Sequence, residues 1–320
     1  MLIRDRIYGS FDLKEAVILD LLKSKGLKRL KGVSQGGLPR DYSSIPTYSR
    51  FEHSVGVMLL LKKLHASLEE QVAGLLHDIS HTAFSHIADI ALSDTYLKGT
   101  EDYHEQIKEK FVGLTKIPSI LEKHGFNKDI VSDTTKFNLL ERHEPDLCAD
   151  RIDYVLRESE DLLKVKELKD LVSDLVNFNG EIVFGNETNA YLFSVNFLKL
   201  QTNFWGNQEL NRRHFVFADL IKEALRKKII IEGDLLEKSE GEIIRLMRLK
   251  GNKKFQETLD LLKQGGKLAF IKGKRVRKKF RYADPKILVN GKLYRLSMIN
   301  SGFKRLLSEN ERINKKGIIV

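Results

Sequence analysis

One cysteine, five prolines and one tryptophan occur in 320 residues. A lone thiol at Cys148 excludes an intrachain disulfide and a multi-cysteine zinc site. So few prolines, with no Pro/Ser-rich stretch, leave no visible linker. No apolar run reaches the roughly 20 residues that a membrane-spanning helix needs. The first residues, Met1-Leu2-Ile3-Arg4-Asp5, lack the apolar core of a secretory signal. A cytoplasmic protein with no membrane partner is the expectation. Hydrophobic residues at 42% and charged residues at 31% exclude a disordered or collagen-like chain.

Charge is abundant and unevenly placed. The formal net charge is +11, from 55 Lys+Arg and 44 Asp+Glu. Residues 226–320 hold 26 Lys+Arg against 10 Asp+Glu, while residues 1–225 hold 29 against 34. The chain divides into a mildly acidic body, 1–225, and a basic C-terminal lobe, 226–320. The densest run is Lys272 to Arg281, reading K-G-K-R-V-R-K-K-F-R. It reads either as a solvated or intersubunit face, or as a patch for nucleic acid or nucleotide phosphate.

Apolar spacing predicts a mainly α protein. Helices are expected over 13–31, 51–64, 68–80, after Phe84, and over 102–112, 128–140, 146–164, 188–204, 208–229, 240–249 and 255–262. Gly32 to Tyr48 reads as a loop. A short strand is expected at Glu181–Phe184, and Asn290-Gly291 between two short apolar runs predicts a hairpin. The fold class is a multi-helix core with a small α+β C-terminal lobe.

Six of nine histidines lie between residues 53 and 104. At their centre is His77-Asp78-Ile79-Ser80-His81, followed by His86 and Asp89. Imidazole nitrogen and carboxylate oxygen are the usual ligands of borderline divalent metals. The apolar segment Val72–Leu76 leads His77 and Asp78 toward the interior. A buried ionisable pair is costly unless compensated, by a mutual hydrogen bond or by a metal. Arg50-Phe51-Glu52-His53 upstream and Asp150-Arg151-Ile152-Asp153-Tyr154 downstream add further candidates.

These segments resemble the HD-domain phosphohydrolases, and within them the deoxynucleoside triphosphate triphosphohydrolase branch. Ile3–Gly9 is similar to that branch's D-P-I-Y-G opening, and Leu27–Gln35 to its F-x-R-L-x-x-I-x-Q helix. Ser49–Gly56 is similar to its R-F-E-H-S-x-G segment. Leu76–His86 is similar to L-H-D-x-G-H-x-x-F-S-H with Ser80 for Gly, and Ala149–Arg157 to A-D-R-x-D-Y-x-x-R. The resemblance is clear over residues 3–160. It implies that His53, His77, Asp78 and Asp150 bind a divalent metal (Mn, Mg, Fe, Ni or Zn). It implies catalytic roles beside the phosphates for His81, His86, Asp89 and His104. Arg50 and Arg151 would hold phosphate oxygens, and Gln35, Tyr154 and Glu158 would line the sugar.

The implied reaction is hydrolysis of a (deoxy)nucleoside triphosphate to nucleoside and triphosphate. A phosphatase or phosphodiesterase on another phosphorylated metabolite or nucleic-acid end is the alternative. A nucleotide-sensing or nucleic-acid-binding protein with a vestigial HD site is a third reading. The resemblance also implies a homo-oligomer, dimer or tetramer. Single-stranded nucleic acid is a candidate partner of the basic lobe. Two positions depart from the family on the nucleoside side. Glu158 stands where the family has Asp, and Phe204-Trp205 stand in a stretch where it carries a Tyr.

Overall fold

The computed structural model describes residues 1–43, 45–92, 103–263 and 275–319. The expectations for Lys272, Lys274 and Asp102 lie outside the described residues. The chain is mainly helical. A β1 (Leu2–Asp5) and β2 (Gly9–Asp12) hairpin opens it. The helices of the body are α1 (Ala16–Lys23), α2 (Lys25–Arg29), α3 (Arg50–Lys63), α4 (Leu68–Leu76), α5 (His86–Leu92), α6 (Tyr103–Gly113), α7 (Ile117–Lys123), α8 (Ala149–Glu158) and α9 (Val165–Asp174). Strands β3 (Leu175–Phe178) and β4 (Glu181–Phe184) precede α10 (Glu187–Leu200), which runs into a π turn, Gln201–Trp205. Then come α11 (Gln208–Arg226), α12 (Glu232–Glu237), α13 (Glu240–Lys250) and α14 (Lys253–Lys263). The chain ends with β5 (Arg275–Val276), β6 (Lys286–Val289), β7 (Lys292–Arg295), α15 (Leu296–Ile299), α16 (Ser301–Lys315) and β8 (Ile318–Ile319). No helix among the described residues is long and apolar enough to cross a membrane.

Two apolar cores hold these elements. The first gathers α1, α3, α4, α8 and α10, with Phe184, Phe193 and Phe197 fully buried. The second joins α5 to α11, α13 and α14 around Phe84, Phe217 and Phe255. Residues on both sides of position 225 share each core: α13 and α14 pack with α5, and Ile287 and Phe303 join the first core. The sheet order β3-β4-β6-β7 makes the same connection, with β4 parallel to β6 through Phe184 and Ile287.

Several expectations are corrected in detail. Residues 128–140 are not a helix; only Lys128–Ile130 makes a 3-10 turn. Asp133 accepts the Thr135 N–H, a local side-chain turn that competes with helix. Glu70 then takes the N–H groups of Leu139 and Leu140. The 13–31 helix breaks at Ser24, whose hydroxyl caps α2. The 68–80 helix stops at Leu76, and 146–164 shortens to α8. The predicted Asn290-Gly291 hairpin is present, with both residues at positive φ (49° and 74°). Asn179-Gly180, at 52° and 81°, turns a second such hairpin, between β3 and β4.

Candidate active site

The site lies where the two cores meet. Ser49 caps α3 by accepting the Glu52 N–H, so Arg50 and His53 fall in the first turn of that helix. His77 ends α4, and Asp78 follows it. The chain then turns through Phe84 (φ 66°) and Ser85 (φ 43°), a left-handed pair without glycine. Such backbone persists only where its surroundings hold it. Here Glu240 of α13 accepts the Phe84 N–H, and Arg50 Nε donates to Ser85 Oγ at 2.7 Å. The turn delivers His86 to the head of α5.

His53, His77 and Asp150 converge, each with one ligand atom within 4.8 Å of the others. The hydrogen bonds behind them fix which ring nitrogens face inward. His77 Nδ1 lies 2.7 Å from the Gly74 carbonyl, which only accepts, so Nδ1 carries the proton. His53 Nδ1 lies 2.7 Å from the Asp153 carboxylate, with the same result. Both Nε2 atoms therefore face each other across 3.2 Å, and Asp150 Oδ1 stands 2.8 and 3.4 Å from them. Two ring nitrogens and a carboxylate oxygen in that arrangement call for a positive charge among them, either a proton or a metal ion. Burial pushes the His53 imidazole down, but its bonds to Asp150 and Asp153 prevail and push it up to about 10, so with no metal bound a proton on Nε2, shared with Asp150, takes the cation's place. The pocket thus attracts a cation, and its N/N/O donor set suits a divalent metal.

Asp78 stands beside this group, its Oδ1 3.5 Å from His77 Nε2 and its Oδ2 2.6 Å from Arg50 Nη1. Burial raises the Asp78 carboxyl, yet Arg50 and the neighbouring imidazoles outweigh it and hold it well below the usual range. Its Oδ1 also lies 3.3 Å from His81 Nε2, which links the first group to a second. His81 stacks on His104 with ring centroids 3.7 Å apart. Burial, then the charges of Arg50 and His104, push the His81 imidazole well below its ordinary value, so it is neutral. Asp89 is buried on α5, with Oδ2 3.3 Å from His86 Nδ1 and 3.7 Å from His104 Nδ1.

The remaining expected residues are placed unequally. Arg50 is buried and shared among Asp78, Ser85, the Gln35 carbonyl and His86 Nε2. Gln35 is half-buried, and its Oε1 has no hydrogen-bond partner among the described residues. Arg151 is not brought to the histidines. Its Nη atoms donate to the carbonyls of Asp146 and Arg142 and to Cys148 Sγ. Tyr154 and Glu158 follow Asp150 at four-residue steps along one face of α8. Trp205 closes that face: its indole N–H donates to Glu158 Oε2 at 2.8 Å, and its ring meets Tyr154 edge-on at 5.7 Å.

Two supporting carboxylates, Asp153 and Glu240, have no role in the sequence reading. Asp153 orients His53 and pairs with Arg157, which also binds Asp5 and Glu52. Its signal was the i+3 spacing from Asp150. Glu240 accepts from Ser34 N, Ser34 Oγ and Phe84 N, 206 and 156 residues away in sequence, and no local pattern announces it.

Fold and site define a helical protein built around a histidine–aspartate centre fit for a divalent metal. The family model described as "HD domain" matches residues 50–170. The uncharacterized protein YdhJ of Bacillus subtilis is 34% identical over all of this chain and 98% of its own length. The metal-dependent phosphohydrolase cns2 of Cordyceps militaris is 32% identical over 83% of this chain and 78% of its own. A deoxynucleoside triphosphate triphosphohydrolase SAMHD1 homolog of Dictyostelium discoideum is 25% identical over 57% of this chain and 42% of its own. The chain belongs to the HD-domain family of metal-dependent phosphohydrolases.

Proposed function

We propose that this phosphohydrolase acts on (deoxy)nucleoside triphosphates, releasing nucleoside and triphosphate. The observation that carries the reading is the sharing of Asp78 between two groups. One oxygen-and-nitrogen set, His53, His77 and Asp150, would hold a divalent metal. The other gathers His86 and His104 at the buried Asp89 carboxylate, with His81 stacked on His104 and reaching back to Asp78. Cleavage of a phosphate ester needs a cation and a proton donor side by side, and this pair of groups supplies both.

A divalent metal held there would neutralise phosphate charge and make a water molecule more acidic. The chain's own residues do the rest. Arg50, fixed by Asp78 and Ser85, carries positive charge to the boundary between the two groups. His104, beside Asp89, would hand a proton to the departing ester oxygen, while His86 is held between Asp89 and Arg50 next to it. Neutral His81, bonded to Asp78 and stacked on His104, keeps that ring in place. Gln35, with its unpartnered amide oxygen, and the face of Tyr154 and Glu158 would meet the nucleoside.

Support for the substrate comes from the named relative that hydrolyses deoxynucleoside triphosphates and from the polar nucleoside face. Purified protein, Mn²⁺ or Mg²⁺ and a panel of nucleoside triphosphates test it, with products separated by anion exchange. Nucleoside and triphosphate in equal amounts is the expected result. Turnover of monophosphates or cyclic nucleotides alone would overturn the substrate and leave the hydrolase class standing.

A further inference from the structure

The basic arm before β6 is a surface that the proposed chemistry does not use. Residues 275–319 hold 13 Lys+Arg against 3 Asp+Glu. Exposure along the arm alternates, so Arg275, Arg277 and Lys279 face outward while Val276, Lys278 and Phe280 are half-buried. That alternation is the mark of an extended chain, and it spaces the outward cations by roughly 6–7 Å. This is of the order of the phosphate-to-phosphate step of an extended polynucleotide. The arm is held rigidly. β5 pairs with β8, Arg275 donates to the Lys316 carbonyl, and Asn314 and Gln201 donate to the carbonyls of Lys278 and Lys279. Pairing with β8 sets the end of α16 alongside, where Arg312, Lys315 and Lys316 are exposed. Phe280 and Tyr282 stack at 5.3 Å and anchor the arm on the first core.

We propose that this surface, Arg275–Lys279 with Arg312–Lys316, binds a single strand of nucleic acid along its phosphates. Of its six exposed cations, Arg275, Arg277, Lys279, Arg312, Lys315 and Lys316, two have a carboxylate partner among the described residues, Lys279 with Glu144 and Lys315 with Glu311. Among the described residues, the exposed large apolar side chains beside them are Ile313 and Ile319. A stable contact between copies needs an apolar centre within about 1,200–2,000 Å² of buried surface, and lysine is depleted there. A row of cations one residue wide fits a strand better than a protein face.

The test uses the full chain and a fluorescein-labelled 20-residue oligothymidylate, read by anisotropy from 50 to 300 mM salt. Six phosphate contacts predict a log–log salt slope of about −4. The triple variants R275A/R277A/K279A and R312A/K315A/K316A should each bring the slope to about −2 and weaken binding at least tenfold. R275K/R277K should keep it, which separates charge from misfolding. No binding at 50 mM salt would overturn the proposal. So would triple variants that bind unchanged, a duplex of equal length bound as tightly, or triple variants that alter only the oligomeric state. None of these residues contributes to the hydrolytic site, so hydrolysis of a nucleoside triphosphate should be unaffected by either triple variant.

Discussion

His53 Nδ1 donates to Asp153 across 2.7 Å, and this bond leaves Nε2 as the ring atom that faces the metal position. Burial raises the Asp153 carboxyl, but Arg157 and then His53 outweigh it and keep it ionised. An Asn at 153 can keep the shape while losing the charge that makes the imidazole a good donor. Asp153→Asn should therefore lower divalent-metal affinity roughly 10–100-fold. Calorimetric titration of the metal-stripped protein with Mn²⁺ measures this. Unchanged affinity would remove Asp153 from the metal's support.

Gly56 makes that same arrangement possible. A Cβ there would stand 2.0 Å from Arg157 Nη2 and 2.1 Å from Asp153 Oδ1. Both side chains are buried and mutually bonded, so neither can retreat. Inside an ordinary helix, Gly→Ala stabilises by about 1 kcal/mol. At position 56 the sign should reverse, with a loss of about 3 kcal/mol from overpacking and a weakened ion cluster. Thermal unfolding of Gly56→Ala reads it, and a raised Tm would contradict the packing described.

Much of this site was legible in the chain. His77-Asp78 after an apolar run, His53 in a capped first turn, and Asp150 at the head of α8 are local patterns. The Asn290-Gly291 hairpin was equally plain, and Asn179-Gly180 carried the same signal unnoticed. What could not be read was long-range. The direction of the Arg151 side chain depends on the carbonyls of Arg142 and Asp146. Glu240 reaches Ser34 and Phe84 only after the second core has formed. The 128–140 segment has helical spacing, yet Asp133 and Glu70 take the N–H groups a helix would need.

Glu240 makes stability depend on pH. Burial pushes its carboxyl up to about 7, against the pull of three bonds from Ser34 and Phe84. The unfolded chain releases this proton near 4.5, so between about pH 4.5 and 7 the native state binds more protons. Its contribution is full below that window and is lost as pH rises through 7, by at most ~3 kcal/mol. Gln can keep all three contacts, its oxygen accepting both N–H groups and its NH₂ donating to Ser34 Oγ. Glu240→Gln should flatten the decline. Urea unfolding of both proteins at pH 5 and pH 8 compares the slopes, and equal slopes would sink the assignment.

Trp205 and Glu158 couple in a way that pH should expose. Burial raises the Glu158 carboxyl to about 7, while the Trp205 indole N–H pulls it down. A hydrogen bond to an ionised group contributes about 1.5–3 kcal/mol, and one to a neutral group about 1 kcal/mol. Trp205→Phe keeps an aromatic ring against Tyr154 and Phe197 but deletes the donor. Its cost should be larger at pH 8, where Glu158 is ionised, than at pH 6, where it is protonated. Losing the donor also raises Glu158 further, so the native state keeps its proton to higher pH and the decline in stability extends upward. A double-mutant cycle with Glu158→Gln, run at both pH values by urea unfolding, isolates the pair from the packing change. A coupling energy that stays constant between pH 6 and pH 8 would mean that Glu158 does not titrate in this range.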